Sequence, residues 1–306
     1  MSATARSRRT QEGPSDAAAH ERAELAQDDL AIVPRHGPRV STQPRLNFVV
    51  HPGRGPFALL VHGALGSRSY WAANVAALGE VCRPVVVELW GHGRSPSPTD
   101  PAAYAPQAYV EQFEALRTEL HAAQWFTVGQ SMGAGLSLAY GLAYPQRVLA
   151  QVITNSNSAF ARPETWQRRH REVVAPMIER LVQTGTGFLR EAKMNPASSR
   201  RLDVEVRRLL VAEFAEHDAG GLAATMQYTN LTLPLGERVR AVSVPTLLTL
   251  GVREETFLPL LERVRWISGV EVVELDAAHP VNAQLPGPWN EAVVEFFDRH
   301  RRTDRD

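Results

Sequence analysis

The residues with the clearest chemical potential are Gly129-Gln130-Ser131-Met132-Gly133, a serine with a glycine two positions to either side. An apolar run, Trp125-Phe126-Thr127-Val128, leads into it, and an apolar helical segment from Ala134 to Tyr140 leads out. A sharp strand-to-helix turn of this kind holds the serine in strained backbone geometry and lifts its hydroxyl above the sheet. The glycines let strand and helix pass without Cβ clashes. Beneath the serine, the helix N-terminus favours developing negative charge. The pattern predicts a nucleophilic serine rather than a turn that merely packs.

Such a turn works only at the edge of a sheet, and the flanking sequence supplies one. Strands are expected at 46–50, 57–61, 84–89, 125–128, 148–154, 246–251 and 270–275. Helices are expected at 71–78, 106–122, from the elbow to about 145, at 258–264 and at 289–300. This alternation argues for an α/β fold with a mostly parallel central sheet flanked by helices. From about 160 to 236 the pattern is helical only, broken at Pro163, Thr184-Gly185, Asn195-Pro196 and Gly220-Gly221. That stretch reads as an all-helical cap inserted before the late strands. The expected organisation is an extension over 1–40, a core over 41–158, a cap over 159–238 and the rest of the core over 239–306. Residues 1–40 are polar and charged, and read as a flexible tail with a short helix across 17–30.

Composition narrows the function classes. Hydrophobic residues make up 44% of the 306, enough for a sizeable core. Lys+Arg and Asp+Glu both number 33, so no basic excess is present to neutralise phosphates, and nucleic acid is not an expected partner. Cys82 is the only cysteine; beside the apolar run 84–87 it reads as a buried, inert thiol. The first residues carry no apolar leader and no stretch approaches a membrane span, so the expected compartment is the cytoplasm. No His-x-x-x-His or carboxylate cluster suggests a metal, and no Gly-x-Gly-x-x-Gly turn suggests a dinucleotide. The expected chemistry therefore needs no cofactor, and the expected partner is a small-molecule substrate. Oligomeric state is not legible.

Over roughly 45–300 the chain resembles the α/β-hydrolase superfamily, through four segments in one order. Besides the elbow, Val61-His62-Gly63-Ala64-Leu65-Gly66-Ser67 resembles the family's His-Gly oxyanion loop. Glu88-Leu89-Trp90-Gly91-His92-Gly93-Arg94-Ser95 resembles its Asp-x-x-Gly-x-Gly-x-Ser turn, with Glu88 in place of Asp. Ala278-His279-Pro280-Val281-Asn282 resembles the segment carrying the family's catalytic histidine. The resemblance implies Ser131 as nucleophile, His279 as general base, and the backbone N–H groups of Ala64 and Met132 as oxyanion donors. Among ten histidines, His279 alone follows a late strand on a short loop. His62 and His92 read as turn-stabilising residues, and His20, His36, His170, His217 and His300 as surface or cap residues. The family's acid lies three residues beyond a glycine after the post-cap strand, which implies Glu254 after Gly251. Glu255 is the alternative, with slightly better spacing to Pro259. After the preceding strand, Thr154-Asn155-Ser156-Asn157 offers no carboxylate.

Substrate identity is less legible. The cap carries Trp166, Met177, Phe188, Met194, Phe214, Met226 and Tyr228, and such residues pack more often than they line pockets. Leu65, Trp90, Gln130 and Trp166 are nonetheless the expected substrate contacts. A small, largely apolar ester, lactone or thioester is the first expectation. C–C bond hydrolysis or a lyase step on the same fold is the second. A non-catalytic ligand receptor is the third, disfavoured because a pure binder needs no intact Ser131, Glu254 and His279.

Overall fold

Short runs of β-branched and aliphatic residues become the strands of one sheet. The computed structural model describes residues 44–301 apart from 191, 193 and 194, so the expected tail, its helix, His20, His36 and Met194 lie outside the described residues. The strands are β1 (Phe48–Val50), β2 (Phe57–Val61), β3 (Arg83–Val87), β4 (Trp125–Gly129), β5 (Val148–Thr154), β6 (Thr246–Gly251) and β7 (Glu271–Leu275). They form a seven-stranded sheet in the order β1-β3-β2-β4-β5-β6-β7. Only β1 runs antiparallel, against β3. The other pairs are parallel, which is why β2, β4 and β6 are buried along their whole length.

Register decides where the functional residues emerge. Val61 lies beside Gly129, Gly129 beside Ile153, Thr154 beside Thr249 and Gly251 beside Leu275. The carboxyl ends of β2, β4, β5, β6 and β7 therefore open onto one edge, where α/β sheets bind ligands.

Helices cover both faces. On one side α1 (Pro106–Glu119) and α2 (Met132–Ala143) bury Tyr109, Phe113, Leu136 and Tyr140 against Leu59, Val61, Val85 and Val87. On the other, Trp289 and Phe297 pack among Ala58, Leu60, Val86 and Phe126, and the Phe126 and Phe297 rings stack at 4.0 Å. Cys82 is buried on this face, its Sγ directed at Leu78 O at 3.2 Å, and burial pushes its thiol pKa up.

The expected strand over 84–89 ends at Val87 because the Leu89 N–H is taken by His62 Nε2 at 3.1 Å. The expected helix over 71–78 divides into a 3-10 turn, Arg68–Trp71, and one helical turn, Val75–Leu78. Between β5 and β6 the described residues form helical turns and no strand, among them α3 (Val204–Phe214), which packs on the Arg68–Trp71 turn, and α4 (Ala219–Ala224). Gly220-Gly221 does not break this run, as the sequence suggested; both lie in the first turn of α4. Gly221 is there for close approach, since a Cβ would sit 2.5 Å from Gly91 Cα. No helix among the described residues is long and apolar enough to cross a membrane.

Candidate active site

Ser131 is the N-cap of α2, and its backbone adopts φ 55°, ψ −117°. A non-glycine residue there carries on the order of 1–3 kcal/mol of strain, held by its surroundings. A Cβ at Gly129 would lie 2.4 Å from Gly133 O, and one at Gly133 would lie 2.1 Å from Val61 O. Both glycines are thus required by contact. Two residues at the end of β5 hold the serine backbone: Ser131 N donates to Thr154 Oγ1 at 3.3 Å, and Ser156 Oγ donates to Ser131 O at 2.6 Å.

Above β2, the loop from His62 turns through Leu65 at φ 59°. Leu65 N donates to His92 Nε2 at 3.2 Å, and Gly66 N to Gly63 O at 3.1 Å. The N–H groups of Ala64 and Met132 have no hydrogen-bond partner among the described residues. His62 and His92 thus stitch the loop to the 88–95 turn. Glu88 holds that turn from inside, accepting from Asn47 Nδ2 at 2.7 Å and Arg94 N at 3.0 Å. Burial pushes the Glu88 carboxyl pKa up despite those bonds.

A third buried ring, His217 from the inserted segment, packs against His92 with centroids 5.3 Å apart and accepts from Gly93 N at 2.9 Å. Burial lowers His62 and His217 to about 4 and His92 well below its ordinary value. All three are neutral acceptors at neutral pH. His170 is also buried, so neither His170 nor His217 is a surface residue.

At the far side of the edge, His279 Nδ1 lies 2.9 Å from Glu254 Oε2. The carboxylate partner assigns the proton to Nδ1 and leaves Nε2 free as a base. Glu254 also accepts from Asn155 Nδ2 at 2.8 Å and Asn157 Nδ2 at 2.6 Å. Burial alone would push this carboxyl up; the bonds from His279, Asn155 and Asn157 outweigh it and hold it below the usual carboxylate value. Glu255 is exposed. Gln130 Nε2 donates to His279 O at 3.3 Å, tying the histidine loop to the elbow. No direct hydrogen bond joins Ser131 Oγ to the His279 ring here, a looseness common in sites without substrate.

A pocket of about 210 Å³ lies between the His279 loop, the loop after His62 and the insert. Its lining includes Tyr70, Gln130, Ser198, Ser199, His279 and Gln284, with no large aliphatic side chain among the described residues. Of the expected substrate contacts only Gln130 lines it. Trp90 is buried with Nε1 bonded to Ala103 O, and Trp166 is held by Asn230 O. Leu65 packs into an apolar cluster with Leu181, Phe214 and Met226. The insert's apolar residues largely hold the insert together, and the pocket's wall mixes small apolar residues (Ala64, Pro196, Ala278, Pro280) with polar ones. Among the described residues no group of three or more His, Cys, Asp or Glu side chains could hold a metal ion.

In the sequence Asn155 and Asn157 stand only for an absence of acid. Their signal was present: an amide on alternate residues directly after a buried strand.

A family profile described as alpha/beta hydrolase fold matches residues 59–194. A putative 2-succinyl-6-hydroxy-2,4-cyclohexadiene-1-carboxylate synthase of Bacillus subtilis is 24% identical over 256 residues, 80% of this chain and 92% of that one. A thermophilic esterase of Thermogutta terrifontis superposes with TM-score 0.71 at 25% identity, covering 84% of this chain and 94% of the other. The enol-lactonase of Burkholderia xenovorans superposes with TM-score 0.70 at 23% identity, covering 83% and 96%.

Proposed function

The chain is an α/β-hydrolase-fold protein, and we propose that it is a cofactor-free serine hydrolase of a small ester, lactone or thioester. The observation that carries this reading is the Glu254–His279 pair, fixed by two asparagines beside the elbow that presents Ser131. Ser131 Oγ attacks the substrate carbonyl carbon while His279 Nε2 takes its proton. The oxyanion is held by the Ala64 and Met132 N–H groups at the α2 N-terminus. His279 returns the proton to the leaving oxygen or sulfur as that bond to carbon breaks. Water, deprotonated by His279, then attacks the acyl-enzyme and frees Ser131. Glu254 orients the imidazole and stabilises its charged form. The insert acts as a cap over this edge.

Intact-mass labelling by a fluorophosphonate tests the reading on wild type and Ser131→Ala together. One adduct on wild type, lost in the variant along with ester turnover, is the expected result. Turnover surviving in Ser131→Ala would overturn the nucleophile, and ligand binding without turnover in wild type would favour a receptor. A second reading, C–C bond cleavage or a lyase step, is favoured by the B. subtilis relative named as a synthase. Product analysis separates the two.

A further inference from the structure

Two successive peptide groups in the loop after His62 are each held by an imidazole. His62 Nδ1 donates to Gly63 O at 2.7 Å, and Gly66 N reaches the same oxygen at 3.1 Å. Because a trans peptide is planar, fixing the Gly63 carbonyl also fixes the Ala64 N–H, which points the opposite way. That N–H has no partner among the described residues, and Ala64 lines the pocket beside His279. In the next peptide, Leu65 N donates to His92 Nε2 at 3.2 Å. Both rings spend their second nitrogen on the 88–95 turn: His62 Nε2 accepts from Leu89 N at 3.1 Å, and His92 Nδ1 donates to Trp90 O at 2.9 Å.

The loop needs this support. Leu65 sits at φ 59°, where a non-glycine residue carries on the order of 1–3 kcal/mol of strain. Without the His92 bond Leu65 relaxes, which turns the Ala64–Leu65 peptide and carries the Ala64 N–H off its line. His92 itself is backed by a ring from the insert. His217 packs against it with centroids 5.3 Å apart and accepts from the adjacent Gly93 N at 2.9 Å. Phe214 packs on His217 in turn at 5.0 Å. On either side in sequence, Asp218 N donates to Gly91 O at 3.0 Å and Glu213 accepts from Ser67 and Ser69, so the insert delivers His217 to one place. All three rings are buried and neutral, so each keeps an acceptor nitrogen.

We propose that His217 is a positioning residue for the Ala64 oxyanion donor: it holds Gly93 and backs His92, and His92 holds Leu65 in the geometry that aims the Ala64 N–H. The inference rests on the serine-hydrolase reading and makes the insert part of that site's machinery. His217 touches no substrate. Its effect is confined to the stage at which negative charge develops on the carbonyl oxygen, because only then does the Ala64 N–H gain its full partner.

Kinetics with p-nitrophenyl butanoate test it, with kcat referred to the sites that a fluorophosphonate titrates, so that unfolded enzyme does not count. His217→Phe keeps a ring against His92 but gives the Gly93 N–H no acceptor, whereas His217→Asn offers an amide oxygen close to the place of Nδ1. His217→Phe is expected to lower kcat by about tenfold with KM within about twofold of wild type, and His217→Asn to recover most of that loss. Affinity for a trifluoromethyl ketone, whose adduct with Ser131 carries the oxyanion, is expected to fall with kcat. A purely structural role would lower the melting temperature and the number of titrated sites but leave kcat per site and ketone affinity unchanged, and that result would overturn the inference. A loss confined to KM, or His217→Asn as slow as His217→Phe, would overturn it too. If His217→Phe does not fold, the comparison moves to His92, where a glutamine amide reaches the place of Nε2 and a shorter asparagine does not. Equal kcat in His92→Gln and His92→Asn would then overturn the relay. Wild type labelled at Ser131 with no effect of these variants sinks only this inference, whereas a folded wild type left unlabelled sinks the hydrolase reading and this inference with it.

Discussion

The two halves of the inserted segment are held by different physics. The later half, from α3 through Asn230, is bonded to the core at many points. Glu213 accepts from Ser67 Oγ, Ser69 N and Ser69 Oγ and pairs with Arg68 at 2.8 Å. His217 accepts from Gly93 N, Asp218 N donates to Gly91 O, and Thr225 and Thr229 hydroxyls donate to Trp90 O and Tyr104 O. The earlier half, Pro163–Arg169 and Ala175–Thr184, makes no such bond to the core among the described residues. It packs through Val174, Leu181 and Leu189 onto Phe214, Leu222 and Met226 and meets the core at Leu65. Directional bonds to the core fix the later half in one geometry, while the earlier half, joined to it by apolar contact and the Trp166 Nε1–Asn230 O bond at 2.7 Å, slides or lifts at lower cost. The fastened half grips the loop after His62 and the 88–95 turn, so it belongs to the framework of the candidate site. The outer half rides on it and is the natural place for opening.

Among single substitutions the largest effect should come from cutting the fastening. Glu213→Ala leaves buried donors and the Arg68 charge without their partner, and is expected to cost about 3–5 kcal/mol in urea unfolding. Turnover should fall as well, because Ser67 and Ser69 follow directly on the loop carrying the Ala64 N–H. A cost no greater than that of an exposed substitution would erase the distinction between the halves.

Acid should act on the same fastening. His62 and His217 titrate in the folded state at about 4, through burial, below an unfolded value of about 6.5. The unfolded chain therefore binds protons first as pH falls. The stabilising contribution is complete above about pH 6.5 and is lost progressively toward pH 4, on the order of 3 kcal/mol per histidine. Unfolding free energy measured across that window should slope downward with acid; a flat profile would mean these rings are not buried acceptors.

The smallest effect is a contrast between two glycines. Gly221→Ala drives a Cβ into Gly91 and should destabilise by about 1–3 kcal/mol. Gly187→Ala, in the outer half, meets nothing within 4 Å and should be neutral or stabilising by up to about 1 kcal/mol. Melting curves of the two variants side by side would sharpen or dissolve the difference.

What was legible in the sequence was whatever is encoded locally. The run from β4 through Gly129 and Ser131 into α2 is a continuous stretch, so pattern alone placed the elbow, and β2, β5 and β6 fell within a residue of their observed limits. Choosing between Glu254 and Glu255 needed more. Adjacent carboxylates look alike in sequence, yet only one faces Asn155, Asn157 and His279, each of which reaches it from another loop. The fastening was invisible for the same reason, since Ser67 and Glu213 stand 146 residues apart. Gly220-Gly221 misled because a glycine pair suggests a break, whereas its cause is a backbone on the opposite loop.

Cys82 gives the chain an unplanned clock. It is the only thiol in the sequence and sits fully buried ahead of β3, on the face away from α1 and α2. Lifting of the outer half leaves it covered, so a thiol reagent reaches it only when the sheet itself comes apart. Its modification rate therefore times global opening, while exchange at amides of Ala175–Thr184 times the local event. The ratio of those two rates is a direct reading of how independently Ala175–Thr184 moves from the sheet.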